Sequence, residues 1–282
     1  MRGLEMNNQR GFSLFEAVIV IVITGILAAI VAIFIFTPVQ SFFTNAARAE
    51  LVDASDNAVR LMSREIRKAL PNSVRVRADS LAIEFVPTVA GARYRTEVAV
   101  VGDDPLLFSQ ADTSFDVFGS PLNVAVGNWA VVYNLGDSVP GSNVYAASTT
   151  AAEQSTSNRR QITAVTPTRW TIASTAPFPD IAYTPPFRAF AVDPPVAYIC
   201  NLTTGTLTRM SGYGFSATFP AATLGTSTLL ASGVTSCVFT YDANAVAQRS
   251  GLVLLKMTMQ IATPKGPDAA TLIHHVHVDN LP

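Results

Sequence analysis

Residues 10–36 read RGFSLFEAVIVIVITGILAAIVAIFIF, and this stretch organises everything that follows it. From Ala17 to Phe36 there are 20 residues without a charge, proline or amide. At 1.5 Å per residue they make about 30 Å of helix, the thickness of a bilayer's hydrocarbon core. Arg2 and Arg10 precede the run, and the first charges after it are Arg48, Glu50 and Asp53. Positive charge stays on the cytoplasmic side, so the pattern predicts a single pass with everything after about residue 45 translocated. A cleaved secretory signal has a shorter apolar region, about 7–15 residues, and a small-x-small site close behind it. Ala47-Arg48-Ala49 has that form, but it lies beyond Pro38 and the run is too long. A plain uncleaved anchor leaves Glu16 unexplained. On insertion scales an acidic residue costs about 2.5–3.5 kcal/mol at mid-helix and less near an end. The helix dipole explains why a carboxylate is tolerated there, but not its place five residues after Gly11, behind a polar leader ending in Arg10.

That order of leader, Gly11, Phe12, Glu16 and apolar run resembles the class III prepilin signal of type IV pilins and type II secretion pseudopilins. The resemblance implies cleavage between Gly11 and Phe12 by a prepilin peptidase, methylation of the new Phe12 amine, and pairing of Glu16 with the terminal amine of a neighbouring subunit. An ammonium and a carboxylate attract strongly in low dielectric while either alone is penalised, so the cost of Glu16 selects the partnered state. The same resemblance implies a bacterial inner-membrane protein with its head in the periplasm, later carried to the pilus or cell surface. The segment departs from many pilins in lacking a mid-segment proline: residues 33–36 read IFIF and the proline comes at Pro38. Its ring removes one helix hydrogen bond and clashes with the Phe34 carbonyl, which predicts a kink at the membrane exit.

Between Asn45 and Leu70 nine of 26 residues are charged. Apolar residues recur at Leu51, Val52, Ala58, Val59, Met62, Ile66 and Leu70, a period near 3.6. This predicts an amphipathic stalk helix that continues the membrane helix and ends at Leu70, since Pro71 cannot extend it. From Pro71 onward the pattern is β. Leu81, Ile83 and Phe85 alternate, and Trp129 to Tyr133 and Arg169 to Ile172 have strand composition. Val196–Leu202, Thr206–Met210, Val234–Tyr241, Leu252–Ile261 and Thr271–Val278 read as an antiparallel meander. Residues 137–158 read as an exposed loop, and six prolines between Pro177 and Pro195 predict an irregular stretch. The fold class is therefore α+β: a long N-terminal helix packed on an antiparallel β-rich head. Its parts are a leader at 1–11, a transmembrane and assembly helix at 12–44, a stalk at 45–70 and a head at 71–282 with irregular insertions around 100–195.

Composition argues against several classes. With 19 basic and 20 acidic residues the formal charge is −1, which offers no basic surface for nucleic acid. Three histidines and two cysteines do not make a four-ligand zinc site of the usual spacing. Cys200 and Cys237 fall in predicted strands of an exported head, where a disulfide contributing about 3–4 kcal/mol is expected and two buried thiols are the alternative. His275 and His277 share one face of a terminal strand and His274 takes the other; they read as polar residues on a solvated face, and no metal is expected. Asp103-Asp104 marks a turn before Pro105, without the spacing of a calcium loop. No nucleophile elbow, phosphate loop, dinucleotide fingerprint or zinc-protease motif is present, so neither catalysis nor a cofactor is expected.

The C-terminal third adds a narrower resemblance. Residues 196–200 (VAYIC), 207–209 (LTR), 211–214 (SGYG), 237–241 (CVFTY), 249–253 (RSGLV) and 275–282 (HVHVDNLP), with 62–67 (MSREIR) in the stalk, look like minor pilins of mannose-sensitive haemagglutinin (MSHA) pili. The function this implies is a structural, assembly-initiating minor pilin. Its partners would be other pilin subunits, the prepilin peptidase/methyltransferase and the inner membrane. The alternatives are a tip adhesin, which adds a surface ligand, and a type II secretion minor pseudopilin. Beyond Pro71 only 26 of 212 residues are charged, a head suited to packing on neighbours or meeting an uncharged ligand.

Overall fold

The computed structural model describes residues 13–119, 123–221, 225–246, 250–263 and 266–282. Two compact units emerge: residues 1–50 with 261–268, and residues 51–260 with 269–282. Helix α1, Leu14–Ile66, is one element of 53 residues, about 80 Å at 1.5 Å per residue.

In the smaller unit, the described side chains of α1 are largely exposed, among them Leu14, Ile23, Ile33 and Phe42. Pro38 lies inside the helix, where it has no N–H to give the Phe34 carbonyl. Near the end of this part the Arg48 guanidinium meets Asp268 at 2.7 Å.

In the larger unit, α1 buries one stripe, with Leu51, Ala58, Val59, Met62 and Ile66 all under 5% exposed, the 3–4 residue recurrence of a helix face. Ser55 and Ser63 sit within the stripe. Their hydroxyls donate back to the carbonyls of Leu51 and Val59, so neither buried hydroxyl is left without a partner. The helix stops at Ile66, four residues before the expected Leu70. The reason is a competing partner: Leu70 N–H donates to Val86 O and Thr88 N–H to Lys68 O, at 2.8 and 2.7 Å. The chain turns extended before Pro71 forces it.

After β1 (Arg75–Val76) and β2 (Ala82–Phe85) come six strands: β3 (Thr88–Tyr94), β4 (Ser114–Phe118), β5 (Trp129–Val132), β6 (Arg159–Val165), β7 (Arg169–Ala173) and β8 (Arg188–Val192). These close into an antiparallel barrel of order β3-β4-β7-β6-β5-β8. Its interior alternates large and small side chains, Phe115, Trp170 and Ile172 against Ala92, Ala130, Ala189 and Ala191, as a narrow barrel requires. Then β9 (Val196–Asn201), β10 (Thr206–Ser211) and β11 (Thr226–Ser232) complete a five-stranded sheet of order β1-β2-β9-β10-β11. The last strands, β12 (Val234–Val246), β13 (Ser250–Thr263) and β14 (Gly266–Asp279), form a separate three-stranded sheet. Gly233 alone links β11 to β12. Its φ is 75°, and a Cβ there would stand 2.4 Å from Gln260 O, so only glycine makes this turn.

The α+β architecture is as read from the sequence, with three differences in detail. Residues 100–195, expected as irregular insertions apart from strands at Trp129–Tyr133 and Arg169–Ile172, carry five of the barrel's strands. Residues 137–158, expected as an exposed loop, hold a helix, α2 (Ala151–Gln154), and bury Val144, Tyr145, Ser142 and Asn158. The C-terminal meander is divided between two sheets and includes β11, which carries no charge and escaped the pattern of Thr, Ser and Leu. Leu70, Val86, Val131, Tyr145 and Val192 form the cluster that joins barrel to sheet.

Candidate functional site

The first described turn of α1 holds Glu16, and Ser13 precedes the helix. The Ser13 hydroxyl accepts from Glu16 N–H at 3.2 Å, and the Glu16 carboxylate accepts from Ser13 N–H and Oγ–H at 3.4 Å. This is a reciprocal cap, Ser-x-x-Glu, which satisfies donors that a helix start leaves open. The returning bonds are longer than the usual 2.7–3.2 Å, and Glu16 is exposed, so the carboxylate is held at the helix start yet open to another cation. Gly11 and Phe12 lie outside the described residues. The part of α1 that follows is long and apolar enough to cross a membrane.

At its other end, beside the buried stripe, α1 carries a polar anchor in Glu65. Glu65 accepts from Tyr198 Oη–H at 2.5 Å and from Arg209 Nε–H at 2.9 Å, tying the last helical turn to β9 and β10. Burial, and then Glu65, push the Tyr198 phenol above its ordinary value. Nearby, buried Glu84 on β2 pairs with Arg75 and accepts from Tyr213 Oη–H at 2.7 Å. Burial raises the Glu84 carboxyl against the pull of Arg75. Arg75 in turn donates to the carbonyls of Ser216, Ala217 and Thr218 and stacks 3.7 Å above Tyr145. Such a cluster clamps a loop; it presents no free acid or base in a cleft.

In the barrel, Arg160 is fully buried and donates to five carbonyls, those of Gln154, Ser157, Arg159, Ala176 and Pro177. Arg159 donates to Val144 O and Ala146 O, both at 3.0 Å, and lies 3.6 Å from the Phe215 ring centre. Desolvation lowers Arg159 to about 9 and Arg160 to about 10, so both remain cations at neutral pH. Residues 137–158 owe their order to these guanidinium groups, which take up carbonyls that a loop would otherwise leave to water.

Cys200 on β9 and Cys237 on β12 form a disulfide with Cα atoms 6.4 Å apart, joining the two C-terminal sheets. His275 and His277 are exposed on one face of β14, with Val276 and Val278 buried on the other. Asp103 closes a turn by accepting from Ala99 N–H and Val100 N–H and pairing with Arg95. Among the described residues no three His, Cys, Asp or Glu side chains come together as metal ligands. Cavities of about 560, 590 and 390 Å³ open on the larger unit. The Ser13 cap escaped the sequence reading although its signal, a serine three residues before a glutamate at the head of an apolar run, is local. The arginine contacts depend on register and had no such signal.

Compared with known proteins, the chain matches the prokaryotic N-terminal methylation motif over residues 6–32. No curated protein matches it, and no solved structure does. The motif marks residues 6–32 as a class III prepilin-like signal. It supports a membrane-anchored, pilin- or pseudopilin-like structural subunit that a prepilin peptidase processes and that assembles with other pilins.

Proposed function

We propose that the chain is a minor pilin, an assembly-initiating structural subunit of a type IV pilus. The observation that carries this reading is the junction at the start of α1: a methylation motif running directly into a capped helix whose apolar side chains are exposed, with Glu16 in its first turn. In this reading the peptidase cuts between Gly11 and Phe12, and the methylated Phe12 amine of one subunit meets Glu16 of the next. The long bonds from Ser13 to the carboxylate are the ones that amine would replace, exchanging a weak cap for a charge-assisted contact. In this reading residues 12–44 belong to the inner membrane before assembly and to the pilus core after it, and the head from Pro71 onward is periplasmic and then exposed on the pilus. The finer assignment, to MSHA-type pili with a likeness to the minor pilin MshO, rests on the C-terminal segments quoted above, of which Arg249 lies outside the described residues.

Mass spectrometry of the protein from membranes tests the reading. Cleavage after Gly11 with a methyl group on Phe12 is expected, and Glu16→Leu should retain processing while abolishing incorporation into pili. An intact leader, or a mature chain beginning at Glu50, would overturn it.

A further inference from the structure

Arg93 on β3 and Arg188 on β8 stand directly opposite each other in the antiparallel register. Side chains so placed leave Cβ atoms about 4.5–5.5 Å apart, and like charges there repel. On the other side of Arg93, β4 presents Phe118, not an acid. The barrel treats its other outward arginines differently. Arg95 pairs with Asp103 at 2.8 Å and Asp116 at 3.3 Å, and Arg169 with Asp116 at 2.7 Å. Among the described residues neither Arg93 nor Arg188 has a carboxylate within 4.0 Å or a side-chain hydrogen bond. In a chain of balanced charge, two adjacent unpaired guanidinium groups are poised for an anion, which Arg grips bidentately when it is a carboxylate or phosphate.

The surroundings narrow the choice. Arg93 and Phe118 line two cavities at once. One, of about 590 Å³, continues past Glu97, Pro186 and Phe187. The other, of about 390 Å³, continues past Arg188, Phe190 and Asp279. Each cavity thus carries one acid, Glu97 or Asp279, beside Arg93, and the first also carries Arg95, whose charge is already met by Asp103 and Asp116. Asp279 is occupied on one oxygen only, by Leu281 N–H at 3.0 Å. The rings of Phe187, Phe118 and Phe190 supply apolar wall; Arg95 lies 4.8 Å over the Phe118 ring on one side, and the ring is still half exposed. An acidic peptide, with negative charge repeated along its length, would meet Glu97 and Asp279 unfavourably. A sugar carrying one carboxylate among hydroxyls would not: each hydroxyl can donate to an acid, while its apolar ring face lies on an aromatic wall, the mixture typical of small-ligand sites.

We propose that this groove binds a carboxylated saccharide, with the carboxylate between Arg93 and Arg188, hydroxyls donating to Glu97 and Asp279, and a sugar face on Phe118. The site is separate from the assembly helix, so its failure would leave the minor-pilin reading standing.

The test uses the full chain in octaethylene glycol monododecyl ether, a detergent without a sugar headgroup, titrated with sialyllactose, lactose and a triglutamate peptide by calorimetry. Sialyllactose should bind, and lactose and triglutamate should not. Arg93→Gln and Arg188→Gln should each weaken binding at least about tenfold, the worth of one charged contact, while Arg60→Gln in the stalk leaves it unchanged. Because the two arginines repel, neither substitution should lower the thermal midpoint. Failure of sialyllactose to bind, equal binding of lactose, preference for triglutamate, or unchanged binding in both arginine variants would overturn the proposal. Loss of binding together with a lowered midpoint would also overturn it, by giving the arginines a structural role.

Discussion

Helix α1 lives in two solvents. Up to Glu50 its described apolar side chains are largely exposed, as an element made for lipid or for other helices. From Leu51 onward the same helix buries a narrow stripe and spends its polar residues on anchors: Ser55 and Ser63 back onto the helix, Glu65 onto Tyr198 and Arg209. Residues 17–36 are apolar all round, as a helix that meets lipid on every face must be; the part from Leu51 is amphipathic because only one face meets a core. What reads as a single element is two solutions to the burial problem, and substitutions should separate them.

The largest effect is expected where packing is tightest. Met62→Ala should destabilise the head by about 2–5 kcal/mol through lost contacts and a cavity, whereas Ile23→Ala should change head stability by less than about 0.5 kcal/mol. Thermal unfolding followed by tryptophan fluorescence measures this, since Trp129 and Trp170 both lie in barrel strands; equal effects would erase the distinction between the two parts. Next comes the support behind the anchor. Replacing Cys200 and Cys237 together by serine should cost about 2–4 kcal/mol, and hydrogen exchange should quicken along residues 51–66 while residues 14–35 exchange as before.

A smaller and pH-dependent effect belongs to Tyr198. Its phenol is raised above 10.0 in the folded chain, so the folded state favours the protonated form. That contribution is complete below pH 10 and is lost as pH rises toward the raised value. Tyr198→Phe should cost about 1–3 kcal/mol at neutral pH, the loss of a hydrogen bond to a charged group, and should flatten the alkaline decline in stability seen in denaturant titrations. A decline of unchanged slope would remove Tyr198 from the alkaline transition. The smallest effect is at the other end: Ser13→Ala should cost about 0.5–2 kcal/mol of local helix stability, read as faster amide exchange at Glu16 with no change in the head.

How much of this was legible follows the range of each interaction. The membrane-length run and the stalk's 3.6 period are local, and both are in the structure as one helix. Its end was misread by four residues because Leu70 and Lys68 answer to Val86 and Thr88, partners found only once the strand beyond Pro71 comes back. The barrel was largely hidden. Its strands are short, they carry arginine and threonine on the outer side, and the closure of β3 on β8 joins residues far apart in sequence. Residues 137–158 looked exposed because they are rich in Ser, Thr and Ala with only two charges; Arg159 and Arg160 instead hold their backbone carbonyls, a use composition does not advertise. Of the expected site residues, Glu16 stands in the first turn of α1, Cys200 and Cys237 are bonded, and Gly11 and Phe12 are proposals carried by the motif. The unpaired state of Arg93 and Arg188 follows from strand register alone and had no counterpart in the sequence pattern.

The pairing of β2 with β9 has a consequence for how such a protein changes over time. Phe85 and Val196 are register partners, so the chain leaves the sheet and re-enters it at one point, and the whole barrel hangs there like an oversized hairpin turn of about 110 residues. Closing a loop costs only about 0.6 kcal/mol more for each doubling of its length, so length sets little limit on what fills that gap, provided the filling still covers Leu70 and Val86 as Val131, Tyr145 and Val192 do. The barrel is a cassette. A lineage could shorten it, lengthen it or trade it for another module that covers the same cluster and keep the helix, the sheet and the disulfide intact, which makes this the place where descendants of one scaffold would diverge in what the head meets.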